Sequence, residues 1–154
     1  MKTIYIGIDP DVDRSGFAVY DVVAKCWIEL CCLDFFEVFK YLQDDADIYG
    51  HSNIFVRIEA GWLNEKSNFH NRRGQTKTAG ERVAKNVGAN HEVGRKFGEM
   101  CEYLGIDYEF VKPLGTKCID HRTFVRMTGW KGRTNSEMRD SAMLVYGINN
   151  KSTS

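Results

Sequence analysis

Proline is almost missing from this chain, with Pro10 and Pro113 alone in 154 residues, and no internal repeat or linker divides it. One domain over residues 1–148, long enough to bury a real core, with a frayed tail over 149–154, is the expected organisation. No apolar run approaches the roughly 20 residues of a membrane span. No short hydrophobic core followed by a small-residue cleavage site marks a signal peptide, so a cytoplasmic protein, bacterial or from a phage-infected host, is expected. Cys26, Cys31, Cys32, Cys101 and Cys118 include no CxxC pair and are odd in number, which excludes a zinc ribbon and argues for reduced thiols. The Gly74–Lys77 stretch lacks the spacing of a phosphate-binding GxxxxGK[ST] loop.

Net charge is also missing, because 21 Lys and Arg balance 21 Asp and Glu. The balance hides a segregation. Acids dominate from Asp9 to Asp47, whereas Lys66 to Lys96 and the final third are largely basic. An acidic pocket that attracts cations beside a surface for a polyanion is one reading of that pattern; plain solvation of helices and loops is the other.

What is present is a regular alternation of elements. Ile4–Ile8 is a continuous apolar run, the mark of a strand covered on both faces. Phe17–Tyr20 and Trp27–Leu33 follow as strands of a meander, with Gly16 expected to close the turn between the first two. Asp34 and Glu37 have the spacing of a capping box, opening a helix expected to end in the acidic run Asp44–Asp47. Asn53–Ile58 predicts a fourth strand ending at Glu59, and residues 61–80 read as a polar loop. Val83, Val87, Val93, Phe97, Met100 and Leu104 recur at helical spacing, with Gly88 and Gly94 set among them either as weak points or for close packing. A fifth strand over Tyr108–Val111 and two short helices separated by Thr128–Gly132 complete a βββαβαβα order. The expected fold is α/β: a mixed five-stranded sheet, three strands antiparallel and then two parallel, with helices on both faces.

Four carboxylates stand out by position. Asp9 and Glu59 end strands, while Glu137 and Asp140 lie three apart on the last helix and share a face. If the first and fourth strands are parallel neighbours, the two strand-end acids emerge together and the last helix can complete the cluster. Crowded carboxylates raise each other's pKa, and hard divalent cations relieve that repulsion, with Mg²⁺ or Mn²⁺ preferred by oxygen donors. Pairing of Glu137 and Asp140 with Arg133 or Arg139 is the alternative.

The segments YIGIDPDVDRSGFAVYD, IFVRIEAGW, FVKPLGTK and SEMRDSAMLVYG resemble, in this order, four motifs of the RuvC family of Holliday junction resolvases, and together they span nearly the whole chain. The resemblance implies an RNase H-like nuclease domain. Asp9, Glu59, Glu137 and Asp140 would be ligands of two Mg²⁺ ions, with Lys117 near the scissile phosphate. It also implies a homodimer acting on branched DNA, and an aromatic wedge at Trp62. Two departures stand out: Asp11 replaces the usual glycine after Pro10, and Glu137 takes a place more often Asp or His.

Trp62 and Phe69 among Arg72, Arg73, Lys77, Arg82 and Lys85 suit stacking on unpaired bases and neutralisation of a backbone. A hydrophobic plug or a dimer contact is the competing use of the two aromatics. Three other functions remain in view. A YqgF-type RNase H-like nuclease on structured RNA shares the first motif. A non-cutting nucleic-acid-binding module would have a decayed site. An actin-like ATPase needs a duplicated half that 154 residues cannot supply.

Overall fold

The computed structural model describes residues 1–64, 77–113 and 119–148, with side chains at all of these but 77–79. Strand β1 (Ile4–Asp9) is central and pairs antiparallel with β2 (Ser15–Asp21), which pairs antiparallel with β3 (Cys26–Leu33). On its other side β1 pairs parallel with β4 (Ile54–Glu59), and β4 pairs parallel with β5 (Asp107–Val111). The order is β3-β2-β1-β4-β5. This is the mixed sheet expected from the sequence.

Strand alternation divides the core in two. Ile4, Ile6 and Ile8 of β1, Phe17 and Val19 of β2, and Ile54, Val56 and Ile58 of β4 pack on one face. There they meet Val38 and Leu42 of α1 (Phe35–Tyr49) and Phe97 and Cys101 of α2 (Lys77–Leu104). Tyr5, Ala18 and Leu30 point the other way, toward Phe124 of α3 (His121–Thr128) and Ala142 of α4 (Ser136–Met143). Among the described residues no helix is long and apolar enough to cross a membrane. The four described cysteines are free thiols; Cys118 lies outside the described residues.

Helix α1 starts where the capping box places it. The Glu37 amide donates to Asp34 Oδ1 at 2.8 Å, and the Asp34 amide donates to Glu37 Oε1 at 3.1 Å. The acidic run does not end it, however. The helix continues to Tyr49 and stops at Gly50, whose φ of 89° suits glycine and whose N–H caps the Ala46 carbonyl. Helix α2 likewise begins earlier than the apolar periodicity shows, at Lys77, inside the segment expected to be loop. Of its two conspicuous glycines only Gly94 is a packing position: a Cβ there would lie 2.9 Å from the Trp62 ring and 3.2 Å from Pro10, whereas Gly88 faces open space.

Candidate metal centre

Asp9 and Glu59 become neighbours through register. Ile8 pairs with Ile58 in the parallel β1–β4 ladder, so the next residue of each strand is an acid at the same edge. Both side chains fall on the α4 face, since Tyr5, four residues before Asp9, packs there and Arg57, two before Glu59, donates to the Leu144 carbonyl just after α4.

Two glycines bring α4 onto this edge. Gly16 was expected to be a turn residue, yet it lies inside β2 opposite Asp9 and does not have positive φ. Its role is clearance: a Cβ on Gly16 would stand 2.0 Å from the Glu137 carbonyl oxygen, and one on Gly7 would stand 2.1 Å from that of Ser141. The backbone of α4 therefore rests directly on β1 and β2. At the N-terminus of this helix the Asn135 side chain accepts the Met138 N–H at 2.9 Å. Near its C-terminal end Arg57 donates to the Leu144 carbonyl at 2.5 Å and pairs with Glu109 at 2.7 Å. Arg139 does not neutralise the acids on the same helix. Its guanidinium donates to the Ile119 carbonyl and to Thr134 Oγ1, and among the described residues neither Glu137 nor Asp140 forms a salt bridge.

The four acids meet electrostatically at Asp9. Its pKa is pushed up to about 9, first by burial, then by a hydrogen bond with Glu59, and then by the charges of Glu59, Asp140 and Glu137. Asp9 thus keeps its proton at neutral pH, while Asp140 and Glu137 act on it through charge alone. As placed, no group of three or more His, Cys, Asp or Glu side chains among the described residues converges closely enough to hold an ion. The donor set nevertheless fits a hard dication: it is all oxygen, partly desolvated, and carries an electrostatic cost that a cation removes more completely than one proton does.

Beside the acids lies a hollow of about 190 Å³. Asp9, Pro10 and Glu59 form one side, and Val87, Asn90 and His91 of α2 form the facing wall with Trp62. Asn90 Oδ1 accepts the Val12 N–H at 2.8 Å and so fastens the acidic turn to α2. Within that turn Asp11 Oδ1 accepts from the Asp13 and Arg14 amides, which makes Asp11 a turn cap instead of merely a solvated acid. Trp62 is half-buried, edge-on to Phe110 at 4.9 Å and to His91 at 5.9 Å, with the Arg95 guanidinium 4.7 Å over its ring. The pKa of His91 is lowered by burial and then by the charge of Arg95.

The remaining expected site residues divide simply. Arg82 and Lys85 are exposed on α2. Lys77 opens that helix, with its side chain outside the described set; Phe69, Arg72, Arg73 and Lys117 lie outside the described residues. Asn90, Arg57 and Gly7 were not singled out from sequence, although each carried a signal. Asn90 is a polar residue on the apolar stripe of α2, Arg57 a charge inside a buried strand, and Gly7 a gap in an otherwise bulky apolar run.

No protein-family model matches the chain, and no curated protein matches its sequence. Solved structures do. A Thermus thermophilus RuvC in complex with Holliday junction substrate superposes with a TM-score of 0.56 at 13% identity, over 92% of this chain and 89% of that one. A second T. thermophilus RuvC structure gives 0.49 at 13% identity, over 92% and 90%. At such identity the likeness is one of architecture: the chain has the RuvC-type, RNase H-like fold.

Proposed function

We propose that this protein is a Mg²⁺-dependent, structure-selective endonuclease that hydrolyses phosphodiester bonds in branched DNA, as in Holliday junction resolution. The observation that supports this reading is the pairing of Asp9 with Glu59 at one edge of a RuvC-type sheet, within reach of the charges of Glu137 and Asp140. Those four residues would hold two Mg²⁺ ions, or Mn²⁺ in their place. Ions of this kind activate water and stabilise charge on the phosphate.

The chain's own residues do the rest. Asp9 would give up its proton to serve as a ligand. In-line hydrolysis by water would leave 5′-phosphate and 3′-hydroxyl ends. The wall of Val87, Asn90 and His91 confines the phosphate to one approach. Arg82 and Lys85, with Arg72, Arg73 and Lys77 before them, meet the nucleic-acid backbone, so affinity falls steeply with salt. Phe69 supplies a stacking surface, and Trp62 stiffens the cleft from its packed position. Lys117 is assigned the developing negative charge of the phosphate on the motif resemblance. A homodimer suits a substrate with two symmetry-related strands to cut.

The test is cleavage of labelled four-way, flap and linear DNAs in Mg²⁺ or EDTA, with cuts mapped and Asp9→Asn run in parallel. Paired cuts in the four-way junction, lost in EDTA and in the variant, are expected. A junction bound but never cut sinks the reading, and preferential cutting of structured RNA replaces it with the YqgF-type activity.

A further inference from the structure

Away from the acids, the β2–β3 hairpin and the α3–α4 connection enclose a second hollow of about 770 Å³. It lies near the other end of β1: Tyr20 in its wall pairs with Tyr5, four residues and about 13 Å along the strand from Asp9. Four aromatic side chains line it: Tyr20, Trp27, Trp130 and Tyr146, all half-buried. Trp27 stacks on Tyr146 with ring centroids 6.2 Å apart, and lies 4.8 Å from Tyr20. Three polar groups of this wall are already engaged. Tyr146 donates to the Met127 carbonyl, Thr128 Oγ1 donates to that of Phe124, and the Trp130 indole N–H donates to that of Arg133.

What remains for a ligand is aromatic surface and positive charge. Lys25 and Lys131 line the hollow and are exposed, and among the described residues neither forms a salt bridge and no carboxylate lines the hollow. Lys25 has a φ of 55°, a left-handed position that glycine or asparagine occupies more easily. A neighbouring hollow of about 460 Å³ shares Tyr20 and Lys25 with the first, which extends the surface past the hairpin tip into a groove. A groove of this length suits a polymer. Ring faces beside spaced ammonium groups match bases and phosphates of a single strand, whereas a duplex keeps its base faces covered.

We infer that this groove binds an unpaired DNA strand, with bases on the aromatic wall and phosphates at Lys25 and Lys131. The choice of DNA rests on the proposed junction substrate; the groove itself does not depend on cutting.

The experiment follows a labelled 12-residue oligothymidylate by fluorescence anisotropy in EDTA, where the acidic edge repels phosphates. Trp130→Ala should weaken binding at least fivefold. The exposed pair Lys25→Glu and Lys131→Glu, made together, should weaken it at least tenfold and flatten the salt dependence, by a slope of about 1.4 if each lysine meets one phosphate. Unfolding midpoints check the variants, and the lysine pair keeps the test decisive should Trp130→Ala lose stability. Unchanged affinity in the lysine pair overturns the inference, as does binding of oligouridylate but not oligothymidylate. Junction cutting by the same proteins separates the two readings. Wild-type protein that binds the oligomer through these residues but cuts no junction leaves the groove standing and removes the nuclease. Junction cutting without an effect of the groove variants on the oligomer removes only the groove.

Discussion

Gly16 lies beneath the carbonyl of Glu137, so close that a Cβ would stand 2.0 Å from its oxygen. One missing methyl thus sets the distance between the strand that begins beside Asp9 and the helix that carries two of the four acids. Gly16→Ala must lift α4 from the sheet, since backbone atoms cannot rotate away as a flexible side chain can. A loss of about 1–3 kcal/mol, the usual cost of overpacking, is expected in urea unfolding, together with a drop in junction cleavage. Gly88→Ala is the control: open space surrounds that position in the same protein, and removal of a helix-interior glycine should stabilise by roughly 0.5–1 kcal/mol.

The proton held by Asp9 predicts a pH dependence. Asp9 titrates at about 9 in the fold against an ordinary value of 3.8, so the folded state binds more protons than the unfolded state between these values. Stability of the metal-free protein therefore falls as pH rises through that window. Asp9→Asn should flatten the fall and raise the melting temperature in EDTA near pH 8 while abolishing cleavage. Calorimetric titration with Mg²⁺ at pH 7 in buffers of different ionisation enthalpy should show about one proton released per site loaded.

Asp45 behaves similarly on the other face of the sheet, in α1. It is 5% exposed in α1, and its Oδ2 has no hydrogen-bond partner among the described residues. Burial, then the charges of Asp44 and Glu29, push its pKa up to about 6. The fold again holds the extra proton, so stability is lost as pH rises from about 4 to 6 and stays lost above. Asp45→Asn should stabilise by on the order of 1–3 kcal/mol at pH 8 and by almost nothing below pH 4, measured by denaturant midpoints at the two pH values.

Trp62 occupies a position where the motif resemblance implies an aromatic wedge, yet it is held by Phe110, His91 and Arg95. Trp62→Ala is expected to destabilise the whole domain by about 2–4 kcal/mol, because it empties a partly buried site between α2 and β5. An unfolding midpoint unchanged from wild type, with only junction opening impaired, would favour the wedge over the anchor.

The mixed sheet was legible because it follows from local patterns of apolar runs and turns, and the meeting of Asp9 with Glu59 followed from their strand-end positions once the first and fourth strands were taken as parallel neighbours. The capping box of α1 was legible for the same reason. The reason for Gly16 was not, since a glycine between two strands reads as a turn until the helix above it is in place. The true end of α1 was hidden because an acidic run is a plausible stop, and only burial of Asp45 shows the helix passing through it. Asn90 and Arg57 act across 78 and 87 residues of sequence, a separation at which periodicity carries no information. The aromatic groove falls in the same class: Trp27, Trp130 and Tyr146 come from three separate segments and meet only in the folded chain.

The seating of α4 on Gly7 and Gly16 also has a temporal consequence. Asp9 is translated well before Asp140, and contacts at such sequence separation carry a loop-closure cost that slows them. A nascent chain lacking α4 carries Asp9 and Glu59 without their helical partners, so the full acid set cannot assemble on a fragment still growing from its N-terminus. Chain order thus makes the four acids a property of the finished fold: a chain stopped before α4 holds only half of them.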